Sequence, residues 1–294
     1  MTPARALRRT LGAVASTGRR RPRGGWFRGT ALVSGLAFLY APIALLVIYS
    51  FNVSRLVTVW AGFSTRWYGA LAKDSTFRAA ALTSLEVAVM AASLALVLGT
   101  LAGFALARFT RFRGRLLFGF MILAPLVVPE VVLGLSLLLL FVACAAAFGG
   151  PPRGLATITI AHATFGAAFV AILVRAQLAS FDRSLEEAAL DLGARPLTVL
   201  ARITLPGIRP ALVSGWLLAF TLSLDDLVVA SFVTGPSATT LPMAVFSSVR
   251  LGLNPEVNAL ATVFLAAVSV LVGLAAWQIA RQERRRLGAP LPRS

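Results

Sequence analysis

The run Ala79–Ala107, AAALTSLEVAVMAASLALVLGTLAGFALA, contains a single ionisable residue, Glu86. A helix crosses a hydrocarbon core about 30 Å thick with about 20 residues, so this stretch is long enough to span a bilayer. Five further runs share that character. They cover residues 29–53, 116–148 (interrupted by Glu130), 154–174, 211–233 (holding Asp225 and Asp226) and 257–280. The predicted fold is therefore an all-α integral membrane protein with six transmembrane helices.

Composition agrees with that reading. Hydrophobic residues make up 58% of the 294-residue chain and charged residues 13%, against about a quarter charged in a soluble domain. A water-soluble globule is excluded. The net charge of +17 would suggest nucleic acid in a soluble protein. Here the arginines lie in short pieces between apolar runs, as membrane-flanking charges do, and no nucleic-acid partner is expected. Segments 1–28, 108–115, 175–209 and 281–294 hold 22 of the 28 basic residues, and the alternate loops hold six. The positive-inside rule then places both termini in the cytoplasm.

The resulting organisation is an Arg-rich cytoplasmic tail (1–28), a first transmembrane helix (29–53) and an external loop (54–78). A core with five further helices follows (79–280), and a second cytoplasmic tail ends the chain (281–294). The first apolar run is too long for a signal-peptide h-region of about 7–15 residues, so it is read as retained. In loop 54–78, Trp60, Phe63, Trp67 and Tyr68 suit the headgroup level.

Catalytic chemistry has little to work with. Cys144 and His162 are the only residues of their kinds, each inside an apolar run, and both are read as helix-packing side chains. No disulfide, metal centre, cofactor or catalytic residue is expected. The only lysine, Lys73, is followed by Asp74, whereas a nucleotide-binding loop needs Gly-Lys-Ser/Thr. The chain is read as not an enzyme.

The cytoplasmic connection 175–209 is patterned as two helices. Ser184 with Glu187 three residues on reads as a capping box, and Gly193 as a helix terminator. Pro196 reads as the first residue of a second helix, with Leu197, Leu200 and Ile203 on one face before Pro206. Glu187-Ala188-Ala189, three residues, Gly193, nine residues and Ile203-Thr204-Leu205-Pro206 together resemble the signature of ABC-importer permeases. Further stretches are similar to the polyamine (spermidine/putrescine) branch: Asp191–Ala194, Ser214–Asp226, Thr239–Pro242, Val245–Arg250 and Asn254–Glu256. Within that branch the chain is most similar to the second inner-membrane permease subunit of putrescine systems. The similarity covers roughly residues 30–286, leaving the N-terminal tail outside. Thr83-Ser84 replaces an Asn-Ser pair frequent at the start of the second span.

This resemblance implies a type I ABC-importer permease fold in the bacterial inner membrane. It implies alternating-access import of putrescine or a related polyamine, with spermidine or another amine-bearing solute as the alternative cargo. The loop 184–206 would be the coupling loop, with Glu187, Ala188, Ala189, Gly193, Ile203, Leu205 and Pro206 engaging the ATPase. The implied partners are a homologous permease forming a heterodimer, an ATP-binding subunit dimer and a periplasmic polyamine-binding protein. An ion-coupled secondary transporter, the rival from another class, would need no such loop.

Intramembrane carboxylates mark a pathway or a paired structural site. Counted along continuous helices at about 1.5 Å per residue, Glu130 and Asp225 lie about 21 Å in from one side. Glu86 lies about 10 Å from the other, near the same level. Asp225, Asp226 and Glu130 are the candidate lining of a route for a dication. The competing expectation is that they pair with Arg250 or a partner-chain arginine, or cap helix ends broken near Pro125 and Pro129.

Overall fold

The computed structural model describes residues 25–56, 59–109, 111–149, 152–236, 238–251, 255–266, 269–270 and 277. The tail 1–24, most of 267–280 and the C-terminal tail 281–294 lie outside the described residues. The helices are α1 (Gly25–Tyr49), α2 (Arg66–Lys73), α3 (Ser75–Arg108), α4 (Arg115–Val127), α5 (Glu130–Phe148), α6 (Leu155–Ser180) and α7 (Ser184–Asp191). They continue with α8 (Pro196–Gly207), α9 (Arg209–Asp225), α10 (Val228–Val233), α11 (Leu241–Leu251) and α12 (Pro255–Ala266). Among the described residues the only β pairing is an isolated bridge between Asn52 and Phe63.

Helices α1, α3, α5 and α6 are long and apolar enough to cross a membrane, and α8 with α9 forms a fifth candidate bent by 70°. Two apolar runs are not single helices. The 116–148 run breaks between α4 and α5, where Val128 is extended (φ −73°, ψ 131°) ahead of Pro129. Proline disfavours the α conformation of the residue before it and donates no N–H. The 211–233 run breaks at Asp226, also extended (φ −67°, ψ 124°). Depth counted along continuous helices therefore does not hold: Glu130 opens α5 and Asp225 closes α9.

The core is the seam between α3 and α6, with α9 laid across both. On α3, Ala91, Ala95, Gly99 and Gly103 recur every four residues and are all buried. On α6, Gly99 meets Ala167 and Val170, Gly103 meets Ala171 and Val174, and Ala95 lies beside Gly166. A β-carbon at Gly99 would stand 2.6 Å from the Ala167 carbonyl oxygen, and one at Gly103 2.6 Å from that of Ala171. The two backbones thus touch, the close approach that small residues allow when lipid supplies no hydrophobic drive.

After α1 the chain knots around buried Asn52. Its amide Nδ2 donates to the Val59 carbonyl (2.7 Å), and its Oδ1 accepts the N–H groups of Ser54 (3.1 Å) and Ala61 (2.9 Å). The Trp67 indole Nε1–H donates to the Asn52 carbonyl at 2.6 Å, and the Tyr68 hydroxyl pairs with Ser50 Oγ at 2.7 Å. Trp67 is therefore an interior residue of this knot and not part of an aromatic belt, because its indole finds a backbone acceptor there. Trp60 and Phe63 are exposed.

The seam is testable by wedging it. Gly99→Val should lower the stability of the detergent-purified chain by ~1–3 kcal/mol through overpacking. Gly119→Val, where a β-carbon meets nothing within 4 Å, should not. Equal melting of the two variants would contradict the packing described.

Candidate functional site

Two polar sites stand out, one at the α7–α8 end of the bundle and one where α9 breaks. At the first, α7 is preceded by Asp182, whose Oδ1 accepts the Ser184 N–H at 3.0 Å. Hydrogen bonds from the Ser184 backbone, and then from its side chain, hold the Asp182 carboxyl below its usual range. Arg183 already has helical dihedrals (φ −68°, ψ −23°) and no side-chain cap bond forms. The expected Ser184 capping box is thus replaced: Ser184 is the first helical residue, and Asp182 serves the free N–H.

The end of α7 is a Schellman turn. The N–H of Ala194 reaches the Ala189 carbonyl (3.0 Å) and that of Gly193 reaches Leu190 (2.9 Å). Gly193 has φ +83° with open space around it, a left-handed conformation that side-chain-bearing residues rarely adopt. Pro196 then opens α8. Within α8, residues Leu200–Thr204 widen into a π turn, with the Leu205 N–H reaching back to the Leu200 carbonyl. Pro206, just beyond, has no N–H to continue the regular ladder. Of the seven signature residues, Glu187, Ala188, Gly193 and Pro206 are exposed, whereas Ala189, Ile203 and Leu205 are half-buried. Leu185, Leu192 and Leu197 add exposed apolar surface at the same place.

The inward-facing carboxylate of α7 belongs to Glu186, which the signature does not mark. Its Oε1 receives Arg108 Nη2 from the end of α3 at 2.8 Å and the Thr204 hydroxyl from α8 at 2.7 Å. The Arg108 and Glu186 side chains are 10% and 15% exposed. These partners are 78 and 18 residues from Glu186, so no local pattern announces them. An arginine ending a long apolar helix is the only hint the sequence offers.

At the second site, His162 of α6 lies buried between two partners. Its Nδ1 meets Ser223 Oγ of α9 at 2.7 Å and its Nε2 meets Asp226 Oδ2 at 3.0 Å. The same Asp226 oxygen accepts the Ala230 N–H at 2.7 Å and so caps α10. His162 is thus more than a packing residue: it ties α6 to both halves of the broken helix. Adjacent Asp225 is at the border of a largely apolar cavity of about 340 Å³, with Thr221, Leu224, Leu241, Pro242, Val245 and Phe264 among its other lining residues. Glu130 is exposed in the first turn of α5, where a negative charge complements the helix dipole. Glu86 is exposed on α3 and Cys144 on α5. Arg250 stacks over Phe246 (5.6 Å) and forms no ion pair with either aspartate among the described residues. No group of three or more potential ligands that could hold a metal occurs among them.

Residues 95–287 match the model of a family described as "Binding-protein-dependent transport system inner membrane component". This chain belongs to that family. The PotI putrescine transport system permease protein of Escherichia coli K12 is 60% identical over 89% of this chain and 93% of its own length. The PotC spermidine/putrescine transport system permease protein of the same strain is 42% identical over 88% and 95%. Both relatives are transport components and not enzymes. The fold is also that of solved ABC transporters. One involved in import of the acidic polysaccharide alginate gives a TM-score of 0.67 at 21% identity, covering 88% of this chain and 97% of that chain. The MetNI methionine transporter gives 0.52 at 20% identity, over 68% and 93%.

The His162–Asp226 contact is open to a double-mutant cycle. Residues in direct contact usually couple by ~0.5–3 kcal/mol. His162→Ala and Asp226→Asn should therefore destabilise non-additively in denaturant unfolding of the detergent-solubilised chain. Strict additivity would contradict a functional contact between them.

Proposed function

We propose that this chain is a permease subunit of an ATP-driven importer that carries putrescine or a related polyamine across the bacterial inner membrane. The carrying observation is the 60% identity to a putrescine permease over 89% of the chain. The 42% identity to spermidine/putrescine permeases favours spermidine as the second cargo. The arginine asymmetry supports six spans with both termini cytoplasmic, which puts α7 and α8 on the ATPase side.

In this reading α7 and α8 form the coupling loop. Exposed Glu187, Ala188 and Gly193, with Leu185, Leu192 and Leu197, offer a narrow, largely apolar helix end for a groove of an ATP-binding subunit dimer. The half-buried Ala189, Ile203 and Leu205, with Pro206, set how that end is presented. ATPase closure then moves the attached helices as a rigid body against those of a homologous permease. A periplasmic polyamine-binding protein delivers the cargo. Asp225 and Glu130 face the route and replace part of the hydration that a diamine loses, while the His162–Asp226 pair holds the broken wall beside them. Sites of this kind must bind weakly enough to release.

Radiolabelled putrescine uptake by cells carrying the complete transporter tests the proposal. Wild type should accumulate putrescine, and excess spermidine should report the second cargo by competition. Gly193→Val forces a β-branched residue into the left-handed region at a cost of about 1–2 kcal/mol, so uptake should fall about tenfold with the permease still in the membrane. No putrescine uptake by wild type would overturn the cargo, and normal uptake by the variant would overturn the loop's role. Asp225→Asn should lower the maximal uptake rate at equal membrane abundance. An unchanged rate would remove Asp225 from the route.

A further inference from the structure

We propose that Glu186 is the residue through which motion of the coupling loop enters the helical core. Its carboxylate locks α7 and α8 to the end of α3, so the three move as one body. This rests on the reading that α7 docks an ATPase, and it assigns a task to a residue outside the signature.

The argument begins with how loosely α7 is otherwise held. None of its residues is buried, so it has no packed apolar face to fasten it to the bundle. The covalent route from the loop into α9 is also irregular. It passes through the π turn at Leu200–Thr204 and then a 70° bend before Arg209. A displacement fed in along that path would be partly absorbed by bending.

Arg108, by contrast, is the last residue of α3, a 34-residue helix about 50 Å long. That helix carries the Gly99–Gly103 seam against α6. A cation at a helix C-terminus is already favourably placed. Both donors converge on one oxygen, Glu186 Oε1: Arg108 Nη2 at 2.8 Å and Thr204 Oγ1 at 2.7 Å. Such charge-assisted bonds are short and directional. Thr204 is 2% exposed, so its hydroxyl is pinned by its own burial. Water therefore competes poorly for the contact, and the carboxylate is held from two elements at once.

The test uses the complete transporter in proteoliposomes, with ATP hydrolysis and putrescine uptake read on the same vesicles. Glu186→Gln and Arg108→Gln should still co-purify with the ATPase and hydrolyse ATP. Transport per ATP should fall about tenfold, as expected for losing a charge-assisted bond. The exchanged pair Arg108→Glu with Glu186→Arg should recover much of that loss, which a change in fold alone would not produce. Unchanged transport per ATP in the single variants overturns the proposal. So does a matched loss of hydrolysis and uptake that the exchanged pair fails to rescue, or loss of ATPase co-purification in Glu186→Gln. Failure of the wild-type complex to couple hydrolysis to uptake would instead refute the functional reading on which the proposal stands.

Discussion

The direct contact of the α3 and α6 backbones is the constraint on which the rest of the structure depends. Gly99 and Gly103 leave no room for a side chain against the Ala167 and Ala171 carbonyls, and Ala95 beside Gly166 continues the close approach one turn earlier. In a bilayer, apolar burial does little to hold helices together, so fit does most of the work. Both polar sites are fixed by this seam. Arg108 ends the first of its helices, and His162 lies within the second. Ala219 of α9 sits against Gly166 and Ala95, which brings Ser223 and Asp226 to His162.

The second organising fact is that helices break where side chains can serve the freed backbone. Non-helical backbone at membrane depth persists only where it is buried in protein or lines a cavity. Asp226 ends one helix, caps the next and is itself held by His162. The start of α6 is tied to the end of α10 by the Thr157 hydroxyl, 2.7 Å from the Val233 carbonyl. The broken region is therefore stiff on one face and open on the other, where Asp225 borders its cavity.

The apolar runs and the helix–turn–helix loop were legible in the sequence because each rests on local rules. Hydropathy over 20 residues finds a span, and a glycine after an alanine-rich turn finds its end, as the Schellman turn at Gly193 bears out. Breaks within a run escape averaging over a window: Pro125 and Pro129 marked the one at Val128, whereas no proline announces the extended residue at Asp226. The capping pattern at Ser184 misled because Asp182, two residues earlier, could serve the same N–H. Least legible were contacts between distant segments. Nothing near Glu186 distinguishes it from Glu187, and only the fold brings Arg108 from 78 residues away to face one and not the other. Trp67 is similar, an aromatic residue with belt composition but an interior hydrogen bond.

The central claim is that the surface loop and the core helix α3 form one moving part. It is tested most directly by spin labels at Leu190 on α7 and Leu101 on α3, both exposed, in a chain whose exposed Cys144 has been replaced by alanine. Pulsed dipolar distances would be recorded in the assembled transporter with and without ATP. The account predicts one unchanged distance distribution in both states. A distribution that shifts with nucleotide while Arg108 and Glu186 are intact would contradict it.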